Sequence, residues 1–484
     1  MNQESIQITL LHTNDMHGRL GSMSRLSTFA RRLRKELEAQ GRQVFFFDAG
    51  DAADRSVRFC GVTKGEAFPR ILEAMGYHLQ TLGNAISITY GPQAASRMAL
   101  KAGYPTLGAN FITADGSLLE GIQATAAFPL AKSVRLGVLG LTAHMPDYYA
   151  FFNLKLPDYR DVARQWLPAL NQQGVGPLVV VSHLGNREEH LLAQVSPEID
   201  VILGGHSHTE LPQGELVNGV LIAQTGSYAK YLGRVDLAVD PRSGKVLTKT
   251  AALLEVPVDT PLDPAVEDAV REAQQEAEAL LNQPVGELNE ALTLEHFAEC
   301  GIGNLAADVI RDRMRAEAAM LTSGLFHKGL PAGKVTLGDL DAACFTTANP
   351  ELSEVRGEQI VAALEKGLEP AYMESVLKMF RGTPVGIPVI SGMTVEYDPA
   401  AESGQRVKKV TIQGQPLELK RVYRVAHTDA EVKEEHMPAG YFTLEAGQTI
   451  KIEVPTILRE AIEDYLKANS PAPAPALGRW IKVQ

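Results

Sequence analysis

The stretch Ile8-Thr9-Leu10-Leu11-His12-Thr13-Asn14-Asp15-Met16-His17-Gly18 is a short apolar run that gives way abruptly to metal-ligating residue types. A brief apolar run bounded by a polar loop is the mark of a strand buried on both faces. The pattern recurs. Val44 to Phe47 leads into Asp48-Ala49-Gly50-Asp51, Leu178 to Val181 into Ser182-His183, and Val201 to Leu203 into Gly204-Gly205-His206-Ser207-His208. Leu79 to Leu82, more polar inside, leads into Gly83-Asn84. Helical stretches separate these runs, so the first half is expected to be an α/β layer structure. Its polar residues then lie just beyond the carboxyl ends of the strands, where such sheets hold ligands.

Working outward, 484 residues exceed one ordinary domain. Val266, Val270, Ala273, Ala277 and Leu280 put one apolar stripe on a helix over 263–283, capped by Asp263-Pro264 and ended by Pro284. We read residues 1–255 as one domain, 263–283 as a linker helix and 284–484 as a separate α+β domain. In the second domain helices are expected at Asn304 to Ala319 and Glu358 to Leu368. Strands are expected at Gly392 to Asp398, Val407 to Gln413 and Arg479 to Val483. The alternating Pro471 to Ala476 reads as a stiff spacer.

The net charge of -12 repels phosphate backbones, which argues against a nucleic-acid polymer as partner. A small phosphorylated ligand is compatible with it, because a bound metal dominates the local field. No stretch approaches the roughly 18 apolar residues of a membrane helix, so no membrane partner is expected. Met1 to Ile6 lacks the basic and apolar regions of a secretory signal. Cys60, Cys300 and Cys344 are far apart and form no CxxC pair. They suit reduced thiols and an expected cytoplasmic location.

Collected from five loops, the polar residues are Asp15, His17, Asp51, Asn84, His183, His206 and His208. Carboxylate with imidazole is the ligand set of Zn, Mn or Fe, and this set exceeds what one ion takes. It suffices for two divalent transition metals that clamp a phosphoryl group and lower the pKa of a bound water. Any single His or Asp at a strand end is more often a hydrogen-bonding residue. The recurrence of the types, and His206-Ser-His208 after two glycines, carry the inference. Gly329 to Val335 only superficially resembles a phosphate loop and reads as a turn. The basic run Arg31 to Lys35 reads as a solvated helix face.

These blocks resemble the calcineurin-like metallophosphoesterases, above all the 5'-nucleotidase family. Gly303-Asn304-Leu305-Ala306-Ala307-Asp308-Val309-Ile310-Arg311 and Gly333-Lys334-Val335-Thr336 resemble that family's C-terminal domain. The resemblance implies an N-terminal four-layer β-sandwich flanked by helices, a linker helix and a C-terminal α+β substrate domain. It implies that Asp15, His17, Asp51 and His208 hold one metal and that Asp51 (bridging), Asn84, His183 and His206 hold the other. His12 precedes the ligand pair and is read as structural.

Two departures matter. The family's third block reads Gly-Asn-His-Glu-Phe-Asp, whereas here Ala85 stands for the His and Ile88 for the Asp that orients it. The change resembles a signal-less intracellular branch whose block reads Gly-Asn-Asn-Glu-Gly-Ile-Thr, matched here by Ile88-Thr89. In the C-terminal half, Asn-x-Gly-x-x-Arg becomes Thr322-Ser323-Gly324-Leu325-Phe326-His327, and Gly-Asp-Gly-Tyr becomes Pro438-Ala439-Gly440-Tyr441. Gly324, His327, Tyr441 and Phe442 remain the candidates for contacting substrate, with core packing the other reading of the two aromatics. The expected function is metal-dependent hydrolysis of small phosphate esters, nucleotides or cyclic nucleotides among them. The alternatives are a metal-retaining nucleotide-binding or sensing protein with weak turnover, and a hydrolase of non-phosphate esters.

Overall fold

Strand Ile6–Thr13 pairs in parallel with Gln43–Asp48, which pairs in parallel with Leu79–Thr81. The computed structural model that shows this describes residues 5–131, 134–172, 175–376, 382–432 and 440–483. The chain divides into two compact units, Met1–Glu278 and Ala279–Gln484.

In the first unit a seven-stranded sheet runs Val246–Glu255, Tyr231–Val239, Ile6–Thr13, Gln43–Asp48, Leu79–Thr81, Thr106–Leu107, Ile122–Gln123. A six-stranded sheet runs Glu215–Val217, Val220–Ala223, Val201–Leu203, Val175–Ser182, Val134–Leu141, Thr125–Ala131. The alternation of strand side chains makes the layers. Val179 and Val181 join Ile8, Leu10, Phe45 and Phe47 in the core between the sheets. Leu178 and Val180 instead meet Val162, Ala163 and Leu167 of the outer helix Tyr159–Gln172. On the outside of the other sheet, helix Leu20–Ala39 buries Met23, Leu26 and Ala30. The expected four layers, helix on sheet on sheet on helix, are present. The strands that precede the expected ligands all pair in parallel within their sheets, so each sheet's ligand-bearing loops leave from one edge.

The helix expected between the domains is Pro264–Leu281. Most of it belongs to the first unit. Asp263 accepts from Ser27 Oγ at 2.7 Å and from Arg31 Nε at 2.6 Å, and its N–H donates to Ser24 Oγ at 2.9 Å. Farther along, Glu276 pairs with Arg70. The helix is therefore packed rather than a bare connector, and Arg31 is an ion-pair partner rather than part of a wholly solvated face.

In the second unit a five-stranded sheet runs Pro388–Ser391, Ala318–Thr322, Val422–Thr428, Pro350–Arg356, Thr449–Ile452. A four-stranded sheet holds Gln415–Pro416, Val407–Ile412, Met393–Tyr397 and Trp480–Lys482. Helix Gly357–Gly367 falls where the sequence placed it. The other helix is Gly301–Met314 and does not reach Ala319: Arg315 turns left-handed at φ 53°, and Ala318 already starts a strand. The Pro-Ala stretch is docked, not a free spacer. Ala472 is fully buried and its N–H donates to the Glu287 carbonyl at 2.8 Å. Within the described residues no helix is long and apolar enough to cross a membrane.

Candidate metal centre

The loops after Ile6–Thr13 and Gln43–Asp48 continue side by side past the ends of their strands. The N–H groups of Asp15, His17 and Gly18 donate to the carbonyls of Gly50, Asp51 and Ala52 at 2.9, 2.9 and 2.8 Å. This zipper holds the chain in an unusual shape. Asp15, His17, Asp51, His206 and His208 have φ of 50°, 46°, 54°, 72° and 55°, the left-handed region. That conformation costs a non-glycine residue about 1–2 kcal/mol, and it persists only where surrounding bonds over-determine it. Five of the expected ligands share it.

The side chains meet. Asp15 Oδ1 lies 3.3 Å from His208 Nε2, 3.6 Å from His17 Nε2 and 3.8 Å from His183 Nε2. His17 and His208 Nε2 are 3.1 Å apart, and His183 Nε2 is 3.2 Å from Asp51 Oδ2. Two groups of candidate ligand atoms result, Asp15-His17-His208 and Asp15-Asp51-His183, each with its atoms within 4.8 Å of one another. Asp15 is the residue common to both. His206 stands next to the second group, its ring 5.2 Å from that of His183. Asn84 stands at the N-cap position of the short helix Ala85–Tyr90, and its side chain makes no capping bond there.

Three atoms test whether this arrangement fits a cation. Asp15 Oδ1, Asn84 Oδ1 and His183 Nε2 are buried and have no hydrogen-bond partner among the described residues. Buried polar atoms are rarely left so unless something else satisfies them. All three belong to expected ligands, and the donor set suits a divalent transition metal.

Supporting contacts aim the ligands. His17 Nδ1 donates to Asp54 Oδ2 at 3.0 Å and His183 Nδ1 to the Ala49 carbonyl at 2.7 Å, which leaves each Nε2 directed inward. Asp15 Oδ2 accepts from Asn14 Nδ2 and from the His206 N–H, both at 2.8 Å. Glu189 accepts from Gln224 Nε2 at 2.6 Å and from the Gly205 N–H at 3.3 Å. Gln224 Oε1 accepts in turn from Ser207 Oγ at 3.0 Å and the Thr209 N–H at 3.2 Å, stitching the His206-Ser-His208 loop. Two glycines are required by close approach. A Cβ on Gly83 would lie 2.0 Å from Asp51 Oδ1, and one on Gly204 would lie 2.2 Å from Glu189 Oε2. Asn14, Asp54, Glu189 and Gln224 were missed by sequence reasoning; only Asn14 and Asp54, neighbours of ligands within the same loops, carried a usable signal.

The electrostatics are those of a site built around positive charge. Burial opposes ionisation of Asp15, but the His183 charge and the contacts of His17, His208 and Asn14 hold its carboxyl far below the usual range. Burial likewise opposes charge on His17 and His183. Contacts with Asp15 and Asp54 nevertheless raise His17 to about 10. The charges of Asp51 and Asp15 raise His183 to about 9. Burial alone takes His12 down to about 3, and a Cβ on Gly233 would lie 2.1 Å from its Nε2. His12 is thus a neutral core residue, as read from the sequence.

The altered third block is explained by packing. The Ala85 N–H donates to Asp51 Oδ1 at 2.9 Å, so the backbone still serves the ligand while the side chain is a methyl group. Ile88 packs with Met145 and Phe152 against a buried cluster that includes Leu82, Phe111 and Tyr149. An aspartate there would press its charge against hydrocarbon.

The substrate candidates of the second unit need correction. Tyr441 and Phe442 are 5% and 2% exposed and sit in the core, Tyr441 against Tyr372 and Phe442 against His427. Neither offers a free ring face to a base. Gly324 is buried and donates its N–H to the Val385 carbonyl at 3.0 Å, while His327 is exposed. Pro438 and Ala439 lie outside the described residues.

Comparison with known proteins agrees with this anatomy. Residues 8–210 match the calcineurin-like phosphoesterase family and residues 284–433 the 5'-nucleotidase C-terminal domain. An uncharacterised metallophosphoesterase of Bacillus subtilis, YunD, is 27% identical over 427 residues, covering 87% of this chain and 92% of its own. The crystal structure of a 5'-nucleotidase precursor from Thermus thermophilus superposes with a TM-score of 0.53 at 24% identity, covering 99% of each chain. The NAD nucleotidase of Haemophilus influenzae superposes with a TM-score of 0.64 at 16% identity, covering 100% of each chain. The fold and the site thus define a metallophosphoesterase. The chain belongs to the calcineurin-like phosphoesterases that carry a 5'-nucleotidase C-terminal domain, a class that hydrolyses phosphate esters.

Proposed function

We propose that this phosphoesterase acts on small phosphate esters of the nucleotide class, with two divalent transition-metal ions held by Asp15, His17, Asp51, Asn84, His183, His206 and His208. The observation that carries the reading is the trio of buried, unpartnered ligand atoms Asp15 Oδ1, Asn84 Oδ1 and His183 Nε2. Bound at such a site, divalent ions neutralise phosphoryl charge and supply a water of lowered pKa. The chain's own contribution is orientation. Asp54 and the Ala49 carbonyl fix two imidazoles by their Nδ1 atoms, and the His206 N–H fixes the Asp15 carboxylate. At position 85 no side chain can hold a proton for the departing alcohol. Esters with good leaving groups are therefore hydrolysed more readily than alkyl esters. The nucleotide class is supported by the family of the second unit. The three free, buried cysteines support a cytoplasmic location, which cell fractionation would check.

The test is a screen of protein purified without chelator and reconstituted with Mn or Zn. Nucleotides, cyclic nucleotides, sugar phosphates and an aryl phosphate diester are offered, and metal content is measured alongside. About two ions per chain and turnover of at least the aryl ester are expected. Metal-loaded protein that turns over none of them would sink the proposal. Ala85→His is expected to raise alkyl-ester turnover more than aryl-ester turnover. The gain falls short of the roughly 10²–10³-fold given by an oriented donor, because Ile88 offers the new ring no carboxylate.

A further inference from the structure

Strands Val134–Leu141 and Val175–Ser182 are parallel neighbours, so the segments that follow them leave the sheet at the same edge. Between those segments lies a cavity of about 340 Å³, at the small end of ligand-sized sites. One wall is His206 itself; the others carry His144, Tyr159, Arg160 and Glu188. A Cβ on Gly185 would lie 3.6 Å from His206 Cδ2 and 3.7 Å from Glu188 Oε2, so ring and carboxylate flank one point. The cavity is therefore an annex of the metal centre.

Its lining is polar and partly unengaged. His144 Nδ1 is buried with no hydrogen-bond partner among the described residues. Among the same residues Glu188 makes no hydrogen bond or ion pair. Arg160 is turned onto Asp158, donating from Nε to Oδ1 at 2.8 Å and again from Nη2, and it holds that carboxyl down at about 2. Those two charges pair with each other, and Glu188 is the remaining carboxylate of the lining; its charge and that of the exposed Arg187 beside it both reach Tyr159. Tyr159 is 4% exposed and meets His144 edge-on at 5.7 Å, so it closes the wall and presents no face on which a flat base could stack.

We infer that this annex receives the alcohol half of the ester: an uncharged, hydroxylated group such as the sugar next to the phosphate. Glu188 accepts from its hydroxyls, His144 and Arg160 complete the hydrogen bonds, and Glu188 turns away leaving groups that carry a further negative charge. The inference rests on the phosphoesterase reading and adds a substrate preference to it.

The experiment uses metal-loaded full-length protein and four substrates: ribose 5-phosphate, glycerol phosphate, 3-phosphoglycerate and an aryl phosphate. The two uncharged-alcohol esters should exceed phosphoglycerate in kcat/KM by at least about tenfold, a difference one good polar contact supplies. Glu188→Gln should shrink that ratio and Glu188→Lys should invert it, each with unchanged metal content and melting temperature. His144→Ala should lower the sugar-ester rate more than the aryl-ester rate. A ratio that stays the same in all variants while aryl turnover persists overturns the annex and leaves the phosphoesterase reading standing. If no ester is turned over, saturation-transfer NMR with free ribose still decides: signal lost in Glu188→Lys supports the annex, and no signal in the wild-type protein overturns it.

Discussion

The two units of this chain have kept different things. In the first, five of the seven expected ligands converge in two candidate groups, and five of the seven sit in a left-handed backbone shape. In the second, the aromatics expected to meet a base are core residues, and the arginine expected to meet an anion is the exposed His327. The contrast follows from what each task demands. Metal chemistry needs several groups within a few tenths of an ångström of fixed positions, so a single change there removes function. Recognition is a sum of interchangeable contacts, and a lost stacking face or charge can be replaced elsewhere.

The sharpest break of this comparison lies in the two aspartates. Asp15→Asn and Asp51→Asn should each lower kcat/KM by about 10²–10³ or more, and elemental analysis should show metal lost in both. The resemblance makes Asp51 the shared ligand, whereas the geometry puts Asp15 in both groups; the variant that loses both ions identifies which one bridges. His12→Ala should keep its metal.

Next in size is Asp54→Ala, which frees the His17 ring. Loss of such an orienting carboxylate weakens metal binding by about 10–100-fold, read as a shifted Zn competition curve. Unchanged affinity would mean that the backbone alone positions His17.

A smaller and graded effect is expected from pH. His17 and His183, raised to about 10 and about 9, are protonated at neutral pH in the metal-free protein. Metal takes the unprotonated ring, so binding releases protons and affinity rises with pH toward those values. The expected slope is up to about tenfold per pH unit for each proton displaced. Calorimetry in buffers of different ionisation enthalpy should show the release; a flat profile from pH 6 to 8 would break the account.

The second unit should respond in the opposite manner. Phe442→Ala should lose about 3–5 kcal/mol of stability as a core truncation with metal content untouched. His327→Ala, on the surface, should move stability by no more than about 0.5 kcal/mol. A Phe442→Ala variant that stays stable but binds nucleotide less well would restore the aromatic to the ligand.

What the sequence disclosed follows the same division. Strands buried on both faces write themselves as apolar runs, and loops at their ends expose the ligand types in order; hence Asp15, His17, Asp51, His183 and His208, which the structure draws into two groups, were legible. Glu189 and Gln224 were not, because their value comes from meeting the His206 loop across the fold, which no local pattern encodes. Arg315 ends its helix in a left-handed turn with a residue that carries no stop signal, so the helix read as longer than it is. Tyr441 and Phe442 illustrate a different limit: an aromatic beside a family motif reads the same whether it faces ligand or core.

The packing of Ile88 makes the order of any two changes in the third block matter. Introducing histidine at position 85 first would yield an unaimed imidazole and part of the benefit. Introducing aspartate at position 88 first would set a carboxylate against the buried apolar cluster that includes Leu82, Phe111 and Tyr149. Installing the pair one change at a time thus runs through a small gain followed by a loss of stability, so the two positions resist stepwise exchange. A gain in hydrolysis at this site is therefore easier to reach at other positions around the candidate ligands than at positions 85 and 88 together.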